Sequence, residues 1–130
     1  MKDRLRTERG ASAVEFAFIV PLLIVLVLGI AEFGHAFQVQ GTLSAAAREG
    51  VRAMALQNDP AAARAAVRNA ASSLTPGVTD AQITITPATC PAGAGTTNVR
   101  VTIAYRMPFL TSFFGTGIGL TGTGVMRCNG

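Results

Sequence analysis

The chain has no tryptophan, one tyrosine, one histidine and two cysteines, and only 14% of its 130 residues are charged. Each scarcity closes a class of function. Two thiols and one distant histidine do not make the four-ligand set of a structural zinc site, so neither metal nor other cofactor is expected. No serine or cysteine is spaced with a base partner, no glycine-rich phosphate loop follows a strand, and Asp59 and Asp80 form no paired-carboxylate motif. The sequence therefore reads as a non-enzyme. The formal charge is +4, yet the cations form no stripe and no aromatics interleave with them, the opposite of a nucleic-acid surface. No nucleic-acid partner is expected.

What is abundant is apolar surface. Hydrophobic residues make up 49% of the chain and mean hydropathy is +0.40, a balance that a small soluble domain struggles to hide from water. The excess is concentrated. From Phe16 to Ala31 no residue is charged, and back to Ala11 the only interruption is Glu15. Those 21 residues span about 30 Å as a helix, the thickness of bilayer hydrocarbon. Lys2, Arg4, Arg6 and Arg9 outweigh Asp3 and Glu8 just before the run. Positive charge stays cytoplasmic, so the chain beyond about residue 34 is expected to be exported. A secretory signal cleaved near Gly34-His35-Ala36 and an ordinary uncleaved anchor displaying a small binding module are competing readings. The first is at odds with the length of the apolar core, and both leave Glu15 unexplained.

A carboxylate at membrane depth costs several kcal/mol unless it is paired or protonated. A processing site accounts for it. A charged leader, residues 1–10, ends in Gly10, whose missing side chain lets an intramembrane protease hold the backbone extended. Cutting there makes Ala11 the new N-terminus, with an amine of pKa about 8. Glu15, four residues on and followed by Phe16, then has a counter-charge on its own helix or on a staggered neighbour. The second arrangement fixes register between subunits, because any other stagger leaves a desolvated charge unpaired.

These residues also carry a resemblance. Arg9-Gly10-Ala11-Ser12-Ala13-Val14-Glu15-Phe16-Ala17, then Pro21-Leu22-Leu23, Gly29-Ile30, Glu32-Phe33-Gly34 and the stretch AAAREGVRA from Ala45 to Ala53 closely resemble the TadE-like pseudopilins of tight-adherence (Flp, type IVb-like) pilus systems. TadF-like proteins share this N-terminal pattern. The resemblance is strong over about the first 55 residues and returns at Met126-Arg127-Cys128. It implies cleavage between Gly10 and Ala11 by a prepilin peptidase, a role as a minor pilin in pilus assembly and adherence, and partners among other pilins and the inner-membrane assembly platform. The implied location is the bacterial inner membrane, N-terminus cytoplasmic and C-terminal domain periplasmic, with incorporation into an extracellular pilus as a further possibility.

The expected architecture is α+β and pilin-like. A transmembrane helix over 11–34 leads into an exported domain over 35–130. Leu43, Ala47, Val51 and Met54 recur at helical spacing, so the helix continues to about Leu56, its stripe packing on the exported domain or on neighbouring subunits. Pro21 should kink or loosen it, and its glycines weaken it. Asp59-Pro60 caps a second helix that runs to about Leu74. Its Arg64 and Arg68, one turn apart, form a solvated face or a contact to anionic lipid or a partner. Gln82–Thr86, Asn98–Arg106 and Leu120–Cys128 then read as three antiparallel strands. Between the last two, Met107 to Gly115 is an apolar loop, either core cover or a docking patch. Cys90 and Cys128 fall in the exported part, where an oxidising periplasm favours a disulfide between them. His35 reads as an interfacial polar residue, with pH sensing as the alternative.

Overall fold

The computed structural model describes residues 2–93 and 96–129, with side chains described from Arg6 onward. Part of the expected leader (Met1 and the side chains of residues 2–5) and residues 94–95 of the linker lie outside the described residues. The architecture is α+β. Helix α1 covers Lys2–Gln57 and helix α2 covers Pro60–Ala70; strands β1 (Ile83–Thr86), β2 (Asn98–Pro108) and β3 (Gly117–Arg127) form one antiparallel sheet in the order β1-β2-β3. The chain divides into two units, Met1–His35 and Ala36–Gly130.

In the first unit α1 keeps helical backbone through Pro21, so the proline does not end the helix. Its most apolar 18-residue window has mean hydropathy 2.7 and is 0% buried. Phe16, Phe18, Leu22 and Leu26 are all more than half exposed. Among the described residues nothing covers them.

The second unit reverses this. Between Val39 and Ala55 the buried positions of α1 are Val39, Leu43, Ala46, Ala47, Gly50, Val51, Met54 and Ala55, a stripe at the three-and-four spacing of one helix face. Of the two destinations open to that stripe, the chain's own domain takes it. Asn58 ends α1 with φ 50°, its amide donating to the Met54 carbonyl at 2.9 Å, the left-handed stop that asparagine tolerates. Asp59 then caps α2 by accepting from the Ala61 amide at 2.9 Å, with Pro60 at the first helical position. The second helix stops at Ala70 rather than near Leu74, because the Ala71 and Ser72 amides turn back to Val67 and Asn69 in a tightened end. It buries Ala63 and Val67. Arg64 is half-buried, and Arg68 pairs with Asp80 in an exposed ion pair.

The sheet alternates strictly on β1 and β2: Ile83 and Ile85, then Val99, Val101, Ile103, Tyr105 and Met107, point to the core. On β3 the two buried positions are Gly122 and Gly124. A Cβ at Gly122 would lie 2.6 Å from the Leu43 carbonyl oxygen, and one at Gly124 the same distance from that of Ala47. Likewise, a Cβ on Gly50 would collide with the Val67 side chain. These glycines therefore let helix and strand backbones touch, rather than simply weakening an element. Strands β2 and β3 also run further toward each other than expected. Pairing of Met107 with Ile118 and Pro108 with Gly117 takes into the sheet residues read as loop, because Met107 fills a core position, 1% exposed.

Three side-chain links tie the unit together. Cys90 and Cys128 are bonded as a disulfide across 38 residues, which on the chain-entropy estimate stabilises the fold by about 4 kcal/mol. Beside it Asn58 brackets the Cys90 backbone, accepting from its amide at 2.6 Å and donating to its carbonyl at 3.2 Å. The Tyr105 hydroxyl donates to the Pro76 carbonyl at 2.7 Å.

Gly122→Ala is expected to lower stability by about 2 kcal/mol or more through overpacking, whereas Gly41→Ala, where a Cβ meets nothing within 4 Å, gains about 1 kcal/mol of helix propensity. Denaturant unfolding of the full chain in detergent micelles compares the two. Burial pushes the Tyr105 phenol above its ordinary value of 10.0, so the folded state favours the neutral form. That contribution is complete below about pH 10 and is lost as pH rises beyond it. Tyr105→Phe should flatten the alkaline decline in stability while lowering stability at neutral pH by about 1 kcal/mol for the lost hydrogen bond.

Candidate functional site on the N-terminal helix

Gly10, Ala11, Glu15 and Phe16 all stand on the first unit's part of α1, and all four are exposed. The helix is continuous through them, so Ala11 and Glu15 lie one turn apart on one face. Here the Ala11 nitrogen is a peptide amide with no charge to offer. Among the described residues Glu15 has no hydrogen-bond or ion-pair partner.

Gly10 differs from the packing glycines of the second unit. A Cβ there would meet nothing within 4 Å, so no contact in this chain requires the residue to be glycine. Relative to alanine it costs the helix about 1 kcal/mol. The same loss makes the backbone at Gly10 easier to unwind into an extended form, as a protease needs. The arrangement offers no acid–base or nucleophilic chemistry. It sets a glycine without packing contacts, a carboxylate just over one turn beyond it and a long exposed apolar helix on one element.

Glu32 is the feature that sequence reasoning passed over. It was noted only as part of Glu32-Phe33-Gly34, yet it is 6% exposed and is the one buried charged side chain among the described residues. The available signal was a carboxylate directly following the apolar run. His35 is half-buried.

The chain thus combines an exposed apolar helix long and apolar enough to cross a bilayer with a small α+β unit closed by a disulfide. Residues 10–52 match the model of the TadE-like protein family, and the match begins at Gly10. It takes in the apolar run, Glu15, Glu32 and most of the α1 stripe. Over that segment the chain is similar to TadE-like proteins. No curated protein and no solved structure matches the chain.

Glu15→Leu should favour membrane insertion of the full chain by about 1–3 kcal/mol, since it removes a charge near the end of the span. Insertion efficiency measured by glycosylation mapping reports this. An unchanged efficiency would place Glu15 outside the hydrocarbon.

Proposed function

We propose that the chain is a minor pilin of a tight-adherence pilus, made as a precursor. It inserts with residues 1–10 in the cytoplasm and is cut between Gly10 and Ala11 by a prepilin peptidase. The helix from Ala11 then joins a bundle with other pilins, in the inner membrane or in the filament, while the domain over 35–130 is displayed in the periplasm. There it acts with the assembly platform in building the pilus and in surface adherence.

The observation that supports the reading is the family match beginning at Gly10, with Glu15 one helical turn after Ala11. Physical chemistry supports each step. The basic leader favours the cytoplasmic side. The glycine lowers the cost of presenting extended backbone. Cleavage replaces a neutral amide with a cation, giving Glu15 a counter-charge within reach of its own helix or of a neighbour. In lipid an unpaired charge is penalised strongly, so the pair selects one stagger even where its net contribution to stability is small. Phe16, beside the pair and 68% exposed, supplies apolar cover once helices pack.

Mass spectrometry of the chain purified from membranes should find a mature N-terminus at Ala11. Gly10→Val should leave the leader in place. Glu15→Ala should be cut normally but lower piliation at least tenfold. A native chain that retains Met1 in cells making normal pili would overturn the reading and favour an uncleaved anchor.

A further inference from the structure

We propose that the tip of the β2–β3 hairpin, Phe109 to Thr116, is a second membrane contact that dips into the outer lipid interface beside the point where the chain leaves the bilayer. The proposal rests on the reading of α1 as a membrane span.

The tip is apolar and largely exposed. Leu110 is 60% exposed, Phe113 62% and Phe114 43%, while Phe109 packs partly against the core and anchors the loop. The Phe113 and Phe114 rings meet edge to face with centroids 5.4 Å apart. They form one wedge rather than two independent side chains. No residue from Met107 to Met126 is charged. The turn is also prepared for a medium poor in water: the Phe109 amide donates to the Thr116 carbonyl at 3.2 Å, and the Gly115 amide to that of Ser112 at 3.5 Å. Backbone groups bonded internally enter an interface at lower cost. At the base of the tip Arg106 donates from Nη2 to the Thr116 hydroxyl at 3.1 Å, which sets a cation at the level of anionic headgroups.

Position selects lipid as the occupant. Within the second unit, Gly124 abuts Ala47, Gly122 abuts Leu43, and the Gln40 amide donates to the Thr121 carbonyl at 2.7 Å. Read backwards, β3 therefore advances along α1 toward Ala36, and the hairpin tip lies at that end of the unit. Ala36 is joined through His35 to the apolar run. An apolar wedge with a basic base, carried at the end where the chain emerges from lipid, has the composition of interfacial segments that bury about 5–10 Å into the headgroup boundary.

The absence of native tryptophan makes the test direct. Full-length chains carrying Phe113→Trp, Leu56→Trp or Leu22→Trp are reconstituted into vesicles of phosphatidylethanolamine and phosphatidylglycerol at 3:1, with and without lipids brominated on the acyl chain. Leu56, 66% exposed, lies about 30 Å along the helix from Ala36 by the rise per residue. The expected result is blue-shifted emission from Phe113→Trp, quenched at least twofold by brominated lipid, with Leu56→Trp unquenched and Leu22→Trp strongly quenched. Quenching at Leu22→Trp without quenching at Phe113→Trp overturns the second contact and leaves the span intact. A Phe113→Trp signal that is blue-shifted only as protein concentration rises assigns the tip to another protein and also overturns it. If Leu22→Trp is unquenched, the span and the proposal fail together.

Discussion

Backbone-to-backbone contact between α1 and β3 is the constraint on which the second unit depends. Gly122 and Gly124 remove the side chains that would otherwise hold the strand away from the Leu43 and Ala47 carbonyls. Gly50 does the same for α2 at Val67. Small residues continue the theme, since Ala46, Ala47, Ala55 and Ala63 are all at most 2% exposed. A core built by close approach gains dispersion contacts that a short chain cannot obtain from large side chains alone. The arrangement also fixes register. A slip of one residue on β3 would turn Thr121 and Thr123 inward, burying hydroxyls and Cβ atoms where the helix backbone now sits.

The same helix carries two apolar patterns. Beyond Val39 its apolar residues form a stripe because water covers the opposite face. Before it they surround the helix, because lipid or other helices would do so. The glycines divide in the same way. Gly10, Gly34 and Gly41 have open space where a side chain would be, whereas Gly50 is filled against its neighbours. For the open ones, packing within the chain gives no reason for glycine, and explanations must come from other molecules. For Gly10 the proposed cleavage by a peptidase, which needs yielding backbone, would supply one.

Much of this was legible in the sequence because it is written in local periodicity. The stripe through Leu43, Ala47, Val51 and Met54, the cap at Asp59-Pro60 and the alternation of Val99, Val101, Ile103 and Tyr105 each follow from the geometry of one element. The remainder depends on which elements meet. Threonine–glycine alternation from Thr121 to Gly124 says strand but not that a helix backbone lies against it. Met107 and Pro108 look like loop until pairing with Ile118 and Gly117 extends the strand through them. Glu32 follows the apolar run directly, but a carboxylate there ordinarily reads as the edge of a membrane rather than as a buried group. At the candidate site the order of Gly10, Ala11 and Glu15 was plain from the chain, whereas the open space around Gly10 needed coordinates.

The links at the two ends of the second unit divide the labour of holding it together. At the C-terminal end of α1 water is abundant and a core of small residues is thin, so covalent and polar links serve best: the Cys90–Cys128 disulfide closes the linker onto the last strand, and Asn58 clamps the same loop while ending the helix. A polar clamp of this kind keeps its geometry because both of its bonds go to backbone, which cannot rotate away. Toward the Ala36 end the Gln40 amide donates to the Thr121 carbonyl, and the sheet lengthens into an apolar hairpin. An apolar tip is a liability in water, where it invites association, but it is stabilising at a lipid surface. On the proposed membrane contact, the disulfide would hold the end of the unit away from lipid while the phenylalanines of the hairpin serve the interface rather than the small core.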